Sequence, residues 1–233
     1  MLDRLGEIIP LPTGSRYVIP DLHGCINTFR VLWDTIKPGK SDQVFLLGDY
    51  VNKGPDNLGV LVYLSQLLDQ GHQLYLVLGN HDQMVLDYLR TGSDTLEAKL
   101  IEINGPDFLT GQIDQLSTFK PLFDLFVPYF ESGDFILVHA GFDFKLTYPF
   151  ADLDSMLNIR DFQYDHKQAS GKTIIHGHFP HPLSTVEQAI NSRSKIIPLD
   201  NGCVYKNRAG QGQLLCLNLD TFKLWVQPNI ESL

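Results

Sequence analysis

No long hydrophobic run occurs in this chain. Apolar stretches such as residues 74–78 and 135–138 are strand-length, far short of the ~20 apolar residues that a membrane-spanning helix needs. The opening residues 1–7 are charged and lack the apolar centre of a signal sequence. Cysteine is scarce: there are three, Cys25, Cys203 and Cys216, odd in number and none in a C-x-x-C pair. That argues against a disulfide framework and against a structural zinc ribbon. A reducing cytoplasm is the expected home, with no membrane partner. A basic run is missing too. The 18 Lys and Arg are outnumbered by 27 Asp and Glu, for a formal charge of −9. Sequence-independent binding to nucleic acid relies on cations at phosphates, so no nucleic-acid partner is expected.

What is present is enough apolar material, 43% of 233 residues, for one sizeable core. A single domain over 1–233 is the simplest reading. Residues 16–19 predict a strand. Residues 25–36 carry Ile26, Phe29, Val31, Leu32, Trp33 and Ile36 at helical spacing and stop at Lys37-Pro38-Gly39. Residues 44–47 and 74–78 are uniformly apolar, as in strands covered on both faces. A helix is predicted over 57–69, ended by Gly71, and another from about Gln83. Strand, polar loop and helix thus alternate three times, which is the pattern of an α/β fold. From 83 to about 132 no strand is evident, and Leu96, Leu100 and Ile103, then Leu116, Phe119, Phe123 and Phe126, repeat at helical spacing. This predicts a helical insertion that caps or flanks a site. Strands follow at 135–138 and 173–175 around an irregular stretch, 142–169. From Lys195 the chain reads as all-β, at 195–199, 214–219 and 223–226, with a turn at Asp220-Thr221.

Polar residues able to bind metal follow these strands. Asp21 and His23 lie two apart, so in extended chain they face one side. Asp49 ends the next strand and is placed to bridge two metals. Asn80 can offer its amide oxygen, and His139 and His178 their imidazoles. Mixed oxygen and nitrogen ligands suit Mn, Fe, Zn or Co rather than Mg or Ca. Two such ions ~3.5–4 Å apart can activate water and clamp both oxygens of an in-line displacement at phosphorus. His81 is placed to protonate a leaving group. Lys53 and Arg160 are the basic residues available for phosphate. Alone, each segment reads as a turn, a helix cap or a core histidine; it is the ordered set at successive strand ends that points to a site. His176 can be a further ligand or simply line the site. His72, His166 and His181 read as surface residues.

Pro20 through Cys25, Gly48 through Pro55, Gly79 through Asp82, His139 through Gly141 and Gly177-His178 occur in this order. On these segments the chain resembles the calcineurin-like metallophosphoesterases, and more narrowly their bacterial and phage-type phosphoprotein phosphatase branch. Asn158-Ile159-Arg160-Asp161 is similar to the segment that carries a second phosphate-binding Arg there, and Asp200-Asn201-Gly202 with the last hairpin resembles the family's C-terminal sheet. The resemblance runs over about residues 16–227. It implies a four-layer α/β/β/α sandwich and two divalent metal ions, with manganese expected first. Asp21, His23 and Asp49 would hold one ion, and Asp49, Asn80, His139 and His178 the other. It further implies one-step hydrolysis by a metal-bridging hydroxide, His81 as general acid, and phosphate binding by Lys53 and Arg160. The expected activity is then a phosphoprotein phosphatase acting on Ser, Thr and Tyr phosphates. Two alternatives stand beside it: a dinucleoside polyphosphate hydrolase, and a metal-binding interaction module that has lost turnover.

Three residues depart from the family pattern. Pro20 replaces a Gly, which restricts the loop. Asn52 replaces the Asp that supports the catalytic His, and Lys53 replaces an Arg, losing the bidentate fork on phosphate.

Overall fold

Two five-stranded sheets stand face to face in the computed structural model, which describes residues 6–105 and 113–232. One sheet is built from β2 (Arg16–Ile19), β3 (Gln43–Leu46) and β4 (Gln73–Leu76), with β9 (Gln213–Asn218) and β10 (Leu224–Pro228) on its flank, in the order β10-β9-β2-β3-β4. The other holds β1 (Glu7–Ile8), β5 (Tyr129–Ser132), β6 (Phe135–Val138), β7 (Thr173–His176) and β8 (Ile196–Pro198), in the order β1-β5-β6-β7-β8. Parallel pairing of β2 with β3 and of β3 with β4 brings the carboxyl ends of all three to one edge. Parallel pairing of β6 with β7 does the same in the second sheet.

Strand periodicity explains the layers. Val18, Phe45, Leu47, Leu215 and Leu217 meet Phe130, Leu137, Ile175 and Ile197 between the sheets. Their neighbours Tyr17, Ile19, Val44 and Leu46 turn outward onto α1 (Ile26–Ile36) and α2 (Asn57–Asp69). On the opposite outer face, Ile136, Val138 and Ile174 pack against Phe142, Met156 and Ala169. The result is the expected α/β/β/α sandwich.

Helices α3 (Asn80–Thr91), α4 (Asp94–Asn104), α5 (Ile113–Leu116) and α6 (Lys120–Phe123) occupy most of the expected insertion. Residues 106–112 of it, like the opening residues 1–5 that figured in the signal-sequence reading, lie outside the described residues. Several elements differ from the sequence expectation. The insertion ends in a strand, β5, because Phe130 and Ser132 alternate inward and pair with β6. Helix α3 begins at Asn80 rather than Gln83, because Asp82 accepts from the Gly79 amide (3.1 Å) and caps the first turn. The stretch 142–169 contains α7 (Leu153–Asn158), capped by Asp152, which accepts from the Ser155 amide. Helix α8 (Leu183–Asn191) buries only Val186 and Ile190, so its apolar signal in sequence is thin. Strand β8 also joins β7 rather than the C-terminal hairpin.

Candidate active site

Every predicted ligand lies just beyond the carboxyl end of a strand: Asp21 and His23 after β2, Asp49 after β3, Asn80 after β4, His139 after β6 and His178 after β7. Asp49 is central. Its Oδ2 is 3.5 Å from His23 Nε2 and its Oδ1 is 3.5 Å from His139 Nε2. It therefore belongs to two groups whose donor atoms lie within 4.8 Å of one another, His23–Asp49–His81 and Asp49–His139–His178. Asn80 Oδ1 joins the second group, 3.0 Å from His139 Nε2 and 3.2 Å from His178 Nδ1. Asp21 Oδ2 flanks the first, 3.9 Å from His23 Nε2. His81, expected to act as an acid beside the ligands, thus sits among the donors of the first group.

Backbone geometry at these loops is unusual. His23, Asp49, Asn52, Lys53 and His178 all have positive φ, between 45° and 72°. Such conformations are costly for non-glycine residues and persist where the surroundings over-determine them. Close approach is the other requirement. A Cβ on Gly79 would collide with the Asp49 amide and carboxylate, and one on Gly177 with Asp21 Oδ1.

The donor set fits divalent cations. His139 Nδ1 donates to the Leu47 carbonyl (2.8 Å) and His23 Nδ1 to that of Val51 (3.2 Å), so both Nε2 atoms present lone pairs to the site. His139 Nε2, His178 Nδ1 and Asn80 Oδ1 then converge at 3.0–3.2 Å, more acceptors than protons can satisfy. Asp21 Oδ2 is buried and, among the described residues, has no hydrogen-bond partner. Burial above all pushes His81, His139 and His178 down to about 3 and Asp49 up to about 7. Asp21 is raised well above the usual carboxylate range by burial, and then by Asp200 and Asp49. Neutral imidazoles and crowded carboxylates are what a cation resolves.

Around the donors lies a supporting shell, in which sequence reasoning gave no role to Asn57, Asn104 or Asp200. Asp82 accepts from the amides of Asp49 (2.7 Å), Tyr50 (3.0 Å) and Gly79 (3.1 Å), tying two ligand loops together. Asn57 Oδ1 accepts from the Asn52 amide (2.8 Å). Asn104, at the end of α4, donates to Asn52 Oδ1 (2.9 Å) and accepts from the Lys53 amide (3.1 Å). Only the three-dimensional fold brings Asn104 here. Asp200, buried and pushed up to about 7 chiefly by burial, acts on Asp21 across the site.

Lys53 points into the site, its Nζ 2.8 Å from His23 Nε2. Tyr205 stands beside it, with Lys53 Nζ 5.8 Å and Arg208 Cζ 3.7 Å from the ring centre. Arg160 is exposed at the rim, its guanidinium 5.7 Å from the Phe179 ring. His176 is buried next to the ligand segment, its ring 5.5 Å from Phe162, and it belongs to neither metal group. His166 is exposed, as expected. His72 and His181 are half-buried instead, because their rings pack edge-on against Trp33 (5.1 Å) and Phe179 (5.5 Å).

Comparison with known proteins bears on these observations. The family model for calcineurin-like phosphoesterases matches residues 16–206. A symmetrical bis(5'-nucleosyl)-tetraphosphatase of Wigglesworthia glossinidia brevipalpis is 38% identical over 96 residues, which cover 40% of this chain and 34% of that protein. One of Nitrosospira multiformis is 34% identical over 131 residues, covering 54% of this chain and 42% of that protein. The matches therefore span less than half the length of these curated relatives. A solved structure assigned by inference as a diadenosine tetraphosphatase superposes with a TM-score of 0.67 at 21% identity, covering 97% of this chain and 99% of that one, a likeness of fold. The phosphoprotein phosphatase expectation is corrected here: the curated relatives carry the name of a dinucleoside polyphosphate hydrolase. The names of these relatives lend no support to a phosphoprotein substrate. With the paired metal groups at the strand ends and a family match over most of its length, the chain belongs to the calcineurin-like phosphoesterases, metal-dependent hydrolases whose site takes two divalent ions.

Proposed function

We propose that this protein hydrolyses dinucleoside polyphosphates, splitting a tetraphosphate symmetrically into two nucleoside diphosphates. The observation that carries the reading is the similarity to symmetrical bis(5'-nucleosyl)-tetraphosphatases at 34–38% identity. Asp21, His23 and Asp49 would hold one metal ion, and Asp49, Asn80, His139 and His178 the other, with manganese the expected metal. The ions would supply an activated water and neutralise charge at the reacting phosphorus. Lys53 and Arg160 would bind the polyphosphate.

The substitution at position 52 supports this substrate over a phosphoprotein. Asn52 Nδ2 lies 3.2 Å from His81 Nδ1, and its Oδ1 is held by Asn104 Nδ2 (2.9 Å). The amide therefore donates to Nδ1, and a neutral His81 carries its proton on Nε2. It lacks the carboxylate that would favour the imidazolium. Expulsion of a serine alkoxide, whose conjugate acid resembles water at a pKa of about 16, needs a strong acid. Expulsion of a phosphate group with a pKa of about 6 needs little help. A weakened acid thus fits cleavage of a phosphoanhydride.

The test is to strip the protein of metal, add Mn²⁺ and supply diadenosine tetraphosphate, with products separated by anion exchange. ADP as sole product is the expected result. AMP with ATP would refute symmetrical cleavage. No turnover, by protein that still hydrolyses p-nitrophenyl phosphate, would refute the substrate class.

A further inference from the structure

Beside the metal site, on the flank of the sheet that ends in β8, lies a cavity of about 390 Å³. It falls in the range of small-ligand sites, about 300–1,000 Å³. Its walls come from α8, the outer face of β8 and the segment that carries Arg160 and Phe162. None of its lining residues is a metal ligand, but it adjoins the metal site. His176 lines it and precedes the ligand His178 by two residues. Arg160 lines it as well, and its charge reaches His178.

The lining has the chemistry of a nucleoside site. Phe162, held edge-on against His176 at 5.5 Å, offers an aromatic wall. Thr185 and Gln188 project from α8, and no hydrogen bond to other described residues engages either side chain. A hydroxyl and a carboxamide of this kind can read ribose hydroxyls and a base edge. Arg160, stacked on Phe179, is placed for the phosphate that leaves a nucleoside toward the metals.

Building on the tetraphosphatase reading, we propose that this cavity binds one nucleoside of the substrate, with Arg160 at its mouth gripping the adjoining phosphates. It is a specificity site: it favours nucleotides over simple phosphate esters while the metal centre hydrolyses both.

Filling the cavity tests this. Ala189 and Thr185 line it on α8, and neither is an expected metal ligand. Ala189→Trp and Thr185→Trp are compared with wild type in the manganese-loaded protein by three readouts: the dissociation constant for ADP from calorimetry, KM for diadenosine tetraphosphate, and turnover of p-nitrophenyl phosphate as a check on fold and metal. The expected result is a rise of about tenfold or more in the first two with the third unchanged. ADP binding within about twofold of wild type in a variant that still cleaves p-nitrophenyl phosphate would overturn the proposal. Should Ala189→Trp lose both activities, Thr185→Trp at the more exposed position decides. A wild-type protein that binds ADP in a variant-sensitive way yet leaves the tetraphosphate intact would refute the tetraphosphatase reading and uphold the cavity as a nucleotide site.

Discussion

Asn52 shows how one atom changes the acid available to a site. An Asp here would accept a proton from His81 Nδ1 and stabilise the imidazolium; the amide, fixed by Asn104, donates instead. Asn52→Asp is therefore expected to raise turnover of phenyl phosphate, whose leaving group has a pKa of about 10, by about tenfold or more. Turnover of diadenosine tetraphosphate, with its good leaving group, should change by less than about twofold. Equal gains on both substrates in steady-state assays would show that leaving-group protonation is not what position 52 controls. Asn104→Ala frees the amide of Asn52 to rotate, so its effect should appear in the pH profile of kcat and leave metal content intact.

At the scale of elements, α1 illustrates how far away a cap can lie. Cys25 occupies its N-cap, and its side chain makes no capping hydrogen bond. Glu231, from the last residues described, supplies it: Oε1 accepts from the Thr28 amide (2.8 Å) and Oε2 from Asn27 Nδ2 (2.9 Å). The carboxylate is 6% exposed and faces the positive end of the helix, where negative charge is favoured. Because α1 follows directly on the Asp21–His23 loop, this contact anchors the loop as well as the helix. Glu231→Ala is expected to cost about 2 kcal/mol, since it leaves a buried amide unpaired. Urea denaturation should show the loss as a lower midpoint with an unchanged slope. An unchanged midpoint would mean that water replaces the cap without penalty.

Across the whole molecule, the two sheets bury ionisable groups together and make metal binding proton-linked. Burial pushes Asp49 up to about 7, so at pH 6 it holds a proton in the metal-free protein. Burial pushes His139 and His178 down to about 3, so at pH 6 they are already neutral and have none to give. A cation that takes the Asp49 carboxylate must displace its proton at pH 6 and has none to displace at pH 8. The Asp49 contribution to affinity should therefore rise with pH up to about 7 and then level off. Calorimetry with Mn²⁺ in buffers of different ionisation enthalpy measures the released protons, with more expected at pH 6 than at pH 8. Equal release at both would place the Asp49 pKa outside this window.

The residues that follow β-branched and apolar runs, Asp21, His23, Asp49, Asn80, His139 and His178, were legible as a set because each strand end is a local signal and the parallel order brings those ends to one edge. The span of α2 was legible for the same reason, as its cap Asp56 and terminator Gly71 sit within its own stretch. Strand β5 and helix α8 were not, because their burial comes from partners distant in sequence. Local chemistry thus determined the candidate metal-binding set and the layered α/β class. Tertiary structure alone decided that Asn104 orients Asn52, that Glu231 caps α1, and that Arg160 opens onto a cavity under α8. Those contacts join residues far apart along the chain, and no periodicity encodes which distant side chain completes a hydrogen bond or a wall.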